Sequence, residues 1–432
     1  MGKSSMFQTG ILVVFGALAI AGILIFALIV SNGNKSTTGS VVIWGTLDGT
    51  AMNAVIGTAA DTDPNLSLVS YVQKDPATFE ADLTNALASG KGPDLFILRQ
   101  DYAVQDADKI SETPYAQIPQ SQFESTFIGA STPYLSGTGV RAIPFAADPL
   151  VLYWNRDMLA AAGYVRPPQY WDELYTMAQA ITKKDESGNI TKSAIAIGEF
   201  SNIPNAKDVL SALIMQAGND IVTMDADGKL SAVLSQKTGG VSQSAVSALN
   251  FYTEFANPSK NDYSWNRSMS EARVAFAAGD TAMYIGYASE AKSIQQTNPN
   301  LNFSVSILPQ VRNASRSVTT GHVYAFAAPK TGTNVQGAMT VASLLSSLNN
   351  SVALANALSM SSARVDALAG QAQGKADVLQ KSAIIMRAWP DPNSQKTNDI
   401  FQSMIEDTTS GAALSSEAVQ RADQQLNSTI GI

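Results

Sequence analysis

PFAADPLVLYWNRDMLAAAG, residues 144–163, carries more structural information than any other stretch of the chain. Its first half is nearly all apolar, as a buried strand requires, yet Asp148 stands in the middle of it. The polar group Tyr153-Trp154-Asn155-Arg156-Asp157 follows, then an alanine-rich run that stops at Gly163. Asn155 reads as the N-cap of a short helix over MLAAA, and Gly163 as its stop. A charge buried without a partner is expensive, so Asp148 needs a reason. Either the strand passes a wet cleft there, or the carboxylate caps a turn before Pro149.

Working outward, strand and helix patterns alternate on both sides. SVVIWG (40–45), LSLVSYV (66–72) and PDLFIL (93–98) read as strands. Helices lie between them, the second amphipathic, with Phe79, Leu83, Ala86 and Leu87 on one face and Gly90 at its end. This spacing predicts parallel pairing with right-handed crossovers. SAIAIG (193–198), TAMYIGY (281–287), FSVSILP (303–309) and VYAFAAP (323–329) are further strands. Helices are expected near 169–182, 206–217, 243–256, 268–277, 334–348 and 351–358. The chain is α/β throughout, without an internal repeat.

Composition removes several kinds of chemistry. At 432 residues the chain is long enough for two domains with sizeable cores. Its net charge of −8 is spread along the chain, which argues against a nucleic-acid or anionic-membrane surface as the main partner. Cysteine is absent, excluding disulfides, thiolate metal sites, a cysteine nucleophile and a lipidated cysteine anchor. With His322 the only histidine, an ordinary zinc site is excluded, and neither a G-x-S-x-G elbow nor a P-loop occurs. KDESGN (184–189) and MDADGKLS (224–231) lack the calcium-loop pattern and read as hairpin turns. No cofactor or metal is implied.

ILVVFGALAIAGILIFALIV (11–30) is 20 residues without a charge. As a helix it spans about 30 Å, the hydrocarbon thickness of a bilayer. It exceeds the apolar core of a cleaved signal peptide, and SNGNKSTTGS behind it is a poor cleavage site, so 1–31 is expected to be a retained transmembrane anchor. Residues 32–39 read as a flexible stalk.

Open α/β sheets bind ligands beyond the carboxyl ends of their strands. Thr46 and Asp48 after the first strand are therefore candidates, as are Arg99 and Asp101 after the third and Tyr287 and Glu290 after TAMYIG. Trp44, at the end of the first strand, is cleft wall or core. Tyr263 and Trp265, in the polar loop NDYSWNRS, could stack on sugar rings or simply pack the loop. His322 is a minor candidate beside a strand start.

VVIWG, LASGKGPDLFIL, AIPFAADPLVLYWNRDMLAAAG, PPQYWDEL, AFAAGDTAMYIGYASE, the ILPQ turn, GHVYAFAAPKTG and SGAALSSEAVQRADQQL occur in the order seen in extracellular solute-binding proteins of family 1, the maltose-binding-protein-like receptors of ABC importers. The chain resembles that family over about residues 40–432. The resemblance implies two α/β lobes joined by crossover strands, closing on a ligand like a hinge. Lobe one is expected at 40–147 plus 309–360, and lobe two at 148–308 plus 361–432. It places Asp148 at the hinge, on the cleft rim, as a ligand contact, and Asp101 at another ligand-contacting position. The implied partners are a small polar solute, in the first place a carbohydrate, and the transmembrane subunits of an ABC permease; the receptor would be monomeric. The sequence departs from malto-oligosaccharide binders where Leu98 and Ser289 stand in place of tryptophans. A solute-sensing ectodomain working with a signalling partner is the second reading. A glycoside hydrolase using Asp101 and Asp148 is the third.

Overall fold

The structure, a computed structural model, describes residues 37–225, 228–236, 244–370 and 372–431. Segment 11–30, read as an anchor, lies outside them. Among the described residues no single helix is long and apolar enough to cross a membrane.

The first unit is built as expected. Strands β1 (Val41–Gly45), β2 (Val69–Gln73) and β3 (Leu95–Arg99) are joined by helices α1 (Gly49–Ala60) and α2 (Phe79–Ala88). β1 pairs in parallel with β2 on one side and with β3 on the other. α2 buries Phe79, Leu83 and Leu87, the stripe legible in its sequence.

Strand β4 (Ile143–Asn155) is 13 residues long, because almost every position in it is apolar and buried on both faces. Asn155 ends it by accepting hydrogen bonds from the amides of Asp157 and Met158, the expected N-cap. Later strands are β5 (Ile190–Ile195), β6 (Thr281–Tyr287), β7 (Phe303–Ile307) and β8 (Gly321–Ala327). The two halves of β4 have different neighbours. Residues 143–149 pair with β8, while 150–155 pair with β6 and β7, all antiparallel. The hairpin reading of the two acidic turns holds: Lys183–Lys184 pairs antiparallel with β5, and Val222–Met224 with Leu230–Ala232.

Two hydrophobic cores result. One gathers Val41 through Ala147, then Val323 through Ala363, and Leu368, Ala383 and Met386. The other gathers Leu150 through Leu308, Val318, and Trp389 through Leu426. The chain crosses between them at 148–149, 319–322 and 387–388. The expected changes of lobe at 309 and 361 are therefore displaced along the chain. Leu308 and Val318 still pack in the second core, while Ala363 and Met386 remain in the first. Helix α3 (Ala206–Gln216) opens a side of the second unit. Helix α4 (Lys375–Ile384) lies over the junction, sending Leu379 into one core and Ala383 into the other. Helices α5 (Ser394–Thr409) and α6 (Ser415–Ile430) close the second unit.

Candidate functional site

A chamber of about 310 Å³ lies where the two units face each other. From the first unit come Arg99, Gln100, Asp101 and Tyr102, in the turn that ends β3. Gln100 fixes that turn: its amide donates to the Gly321 carbonyl at 2.9 Å and accepts from the Val323 amide at 2.7 Å, continuing the pairing of β3 with β8 by side chain. From the second unit come Asn205, Lys207 and Asp208 at the start of α3, Tyr287 at the end of β6, and Trp389, Asp391 and Ser394 before and in the first turn of α5. Thr320, Gly321 and His322 form the crossing segment at its base, where a side chain at Gly321 would meet the Asp148 carbonyl at 2.3 Å.

Two of the chamber's cations are paired with carboxylates. Arg99 donates to both oxygens of Asp101, at 2.9 and 2.5 Å. Burial works to raise the Asp101 carboxyl, but the guanidinium overrides it and holds the group well below the ordinary carboxylate range. Ser394, from the other unit, donates to Asp101 Oδ2 at 2.7 Å, so this carboxylate ties the two units together. Lys207 Nζ donates to Asp391 at 2.6 Å and to the Thr397 hydroxyl at 2.7 Å. Burial raises Asp391 despite that cation. Asp208 has no such partner: the Tyr287 hydroxyl donates to it, and His322 Nε2 lies 3.7 Å away. Burial raises the Asp208 carboxyl too. The imidazole stacks on Tyr287, with centroids 4.4 Å apart at 26°. Burial and the field of Arg99 push His322 down to about 3, so it is neutral at physiological pH and can both donate and accept. Arg387 donates to the carbonyls of Ile384 and Met386. Three cations thus stand with three carboxylates, among the aromatic rings of Tyr102, Tyr287 and Trp389.

Four of the expected site residues, Arg99, Asp101, Tyr287 and His322, meet in this chamber. Thr46 lines a smaller pocket that shares Arg99 and Tyr102 with it. The remaining six lie elsewhere, each for a local reason. Trp44 is half-buried against the first core, with the Lys74 ammonium 3.6 Å from its ring. Asp48 caps α1, accepting from the Ala51 amide at 2.7 Å. Asp148 is 2% exposed and is no rim residue: Ser289 donates to both its oxygens, amide at 2.9 Å and hydroxyl at 2.6 Å. Trp265 is fully buried, its indole donating to Asn202. Tyr263 sits under the Lys184 ammonium and accepts from Asn266. Glu290 binds the Tyr287 amide and the Tyr284 hydroxyl. Asp148, buried and bonded to Ser289, is not among the residues that line the chamber with Asp101.

Sequence reasoning missed Lys207, Asp208, Trp389, Asp391 and Ser394. The first two carried a signal. The segment EFSNIPNAKD follows the strand SAIAIG directly, and the rule that looks beyond strand ends applies to it as to the others. AWPDPNS, residues 388–394, offered only a turn and a helix cap.

Two α/β units with separate cores, three crossings and a polar chamber between them define a two-lobed binding-protein fold. The chain belongs to the bacterial extracellular solute-binding protein family, whose model matches residues 45–347. Solved structures of similar fold include a cyclic α-maltosyl-1,6-maltose binding protein from Arthrobacter globiformis, at 17% identity and a TM-score of 0.73, over 90% of this chain and 98% of that one. The sugar-binding protein MalE of Xanthomonas citri matches at 16% identity and a TM-score of 0.72, over 91% and 97%. A solute-binding protein of Thermotoga lettingae TMO, bound with α-D-tagatose, matches at 20% identity and 0.67, over 91% and 100%. A probable ABC transporter-binding protein of Deinococcus radiodurans is 35% identical over 72 residues, a stretch that is 17% of each chain.

Proposed function

We propose that the protein is a receptor for a small uncharged polyhydroxylated solute, a carbohydrate of one or two rings, which it hands to the transmembrane subunits of an ABC importer. The pairing of charge in the chamber carries this reading. Arg99 is matched by Asp101 and Lys207 by Asp391, and Arg387 is offset by Asp208, so the chamber carries no net charge to favour an ionic solute over water. Hydroxyl groups, which both donate and accept, suit paired ions, a neutral imidazole and a carboxylate such as Asp208. Aromatic rings offer faces for the C–H side of a sugar ring. A volume of about 310 Å³ is at the lower end for small-molecule sites, and it favours a short sugar over an extended chain. Sugar-bound relatives of the same fold support the class of solute.

The receptor acts by binding, without turnover, as a monomer held to the membrane by segment 11–30 with its lobes outside. No nucleic acid takes part. A thermal-shift screen of the protein against mono- and disaccharides, amino acids and organic anions tests the reading. A neutral sugar should raise the melting temperature, since a ligand at a hundredfold excess over Kd adds about 2.7 kcal/mol. A response confined to charged metabolites would refute it.

A further inference from the structure

The chamber does not end at the turn that carries Arg99 and Tyr102. These two side chains also line a pocket of about 80 Å³, enclosed by Thr46, Glu80, Leu98 and Tyr324. Among the described residues, neither the Thr46 nor the Tyr324 hydroxyl has a hydrogen-bond partner, although Tyr324 is only 8% exposed. Glu80 stands on α2 with its Oε2 turned inward, 4.0 Å from the Lys109 ammonium and without a hydrogen-bond partner. Lys109 itself binds Asp106 Oδ1 at 2.7 Å, while Asp106 Oδ2 is buried and unpartnered. Asp106 is buried, while the Glu80 side chain is 35% exposed; each has one buried oxygen without a hydrogen-bond partner, and the Lys109 ammonium lies between them. Burial, then the neighbouring Asp106 charge, raises Glu80 to about 7. Glu80 also lines the pocket, and its carboxyl can accept a hydrogen bond there.

We propose that this pocket is a second subsite, in which Thr46, Glu80 and Tyr324 select a solute bearing a hydroxymethyl-sized, hydrogen-bond-donating substituent. The inference rests on the sugar reading above. Its size follows from volume: 80 Å³ holds about two or three waters at ~30 Å³ each, which suits one hydroxymethyl group and excludes a second ring. The choice of a donor follows from chemistry. The Glu80 carboxyl accepts from a hydroxyl, and the Thr46 and Tyr324 hydroxyls, which can both donate and accept, complete its surroundings. An apolar substituent would leave all three groups desolvated and unpaired.

Matched sugars test it. D-Glucose and D-xylose, D-galactose and L-arabinose, and D-mannose and D-lyxose differ by the hydroxymethyl group alone. Calorimetric titration of the full chain in detergent should find at least one hexose bound about tenfold or more tighter than its pentose. Tyr324→Phe, Thr46→Val and Glu80→Gln, singly and combined, should bring the two affinities to within about threefold of each other. Should Glu80→Gln fail to fold, Tyr324→Phe alone still carries the test, because it removes one oxygen and no volume from the core. Equal affinities for hexose and pentose in the unmodified protein would overturn the subsite, as would a preference that survives the substitutions; the pocket would then hold only water. If none of the six binds, the variants are titrated with the neutral sugar that raises the melting temperature in the thermal-shift screen: an affinity unchanged by all three substitutions overturns the subsite and leaves the sugar reading standing, whereas no neutral sugar in that screen overturns the sugar reading itself.

Discussion

Asp148 sits where β4 leaves one core and enters the other, and its carboxylate is the clamp at that crossing. Ser289, just beyond the end of β6, gives it both an amide and a hydroxyl hydrogen. The turn-capping and cleft-rim readings of this residue thus give way to a third: it ties the crossover strand to the end of a neighbouring strand. Burial raises the carboxyl to about 7, against the two Ser289 bonds that favour the charged form. The sign of the pH effect follows. From about pH 4 to about pH 7 the native state holds a proton that the unfolded chain has released, so this group's contribution to stability falls as pH rises through that window and is flat above it. Asp148→Asn keeps an acceptor for the Ser289 amide and places a donor against its hydroxyl, but cannot titrate. The difference in Tm between the native protein and Asp148→Asn should therefore shrink steadily from pH 4.5 to pH 7.5. A difference that stays constant over that range would show that Asp148 is ionised throughout. Truncation is a different matter. Asp148→Ala leaves two buried donors unpaired and should cost about 1–3 kcal/mol of stability, with the affinity for solute within about threefold of the native value.

Helices α3 and α5 meet through their first turns, and the ion pair between Lys207 and Asp391 is the joint. Asp391 has a side chain only 1% exposed, and Lys207 only 12%. Removing one partner of such a pair leaves a charge buried without compensation, which costs about 3–5 kcal/mol. Lys207→Met should therefore lower the midpoint of denaturant unfolding sharply. The double variant Lys207→Met with Asp391→Asn should recover a good part of that loss, because no bare charge remains. Additive losses in the two single variants would show that the pair is not coupled. The same elements mark how far the sequence could be read. Periodicity located α3 to within a residue at each end, since Val209, Leu210, Leu213 and Ile214 make an apolar face whatever surrounds it. The strand ends gave Arg99, Asp101 and Tyr287, because in an α/β sheet the chain's own topology brings those ends together, while His322, at a strand start, stands out only as the single histidine. Trp265 went the other way. A tryptophan in a polar loop looks available for stacking, but its amide donates to the Phe255 carbonyl and its indole to Asn202, and the ring joins the second core. The contribution of α5 could not be read locally. It depends on where the chain returns at 387–388, Ser394 meeting Asp101 across 293 residues, and no local pattern records that.

At the scale of the molecule, two properties can be tested apart. The first is attachment. If segment 11–30 anchors the chain, native protein should remain with the membrane fraction through high-salt and carbonate washes, and its N-terminal peptide should include residues before 31. A soluble native protein beginning near residue 35 would refute the anchor. The second is closure. The crossings at 148–149, 319–322 and 387–388 are the only places where the backbone passes between the two cores among the described residues, and the Lys207–Asp391 pair lies within the second unit and moves with it. The Ser394 hydroxyl on Asp101, by contrast, spans the chamber and must break when the lobes part. Solute that contacts both lobes stabilises the closed arrangement only by its differential affinity for it. Small-angle scattering should accordingly give a smaller radius of gyration with saturating sugar than without. Ser394→Ala removes a hydrogen bond to a charged group that exists in the closed arrangement alone. Its worth of about 1.5–3 kcal/mol should appear as roughly ten- to a hundredfold weaker binding. The radius of the saturated variant should match that of the saturated native protein, because the closed geometry itself is set by the solute and the hinges. An unchanged affinity would mean that the bond from Ser394 to Asp101 survives in the open protein, and hence that the lobes part along some other line than the one this chamber defines.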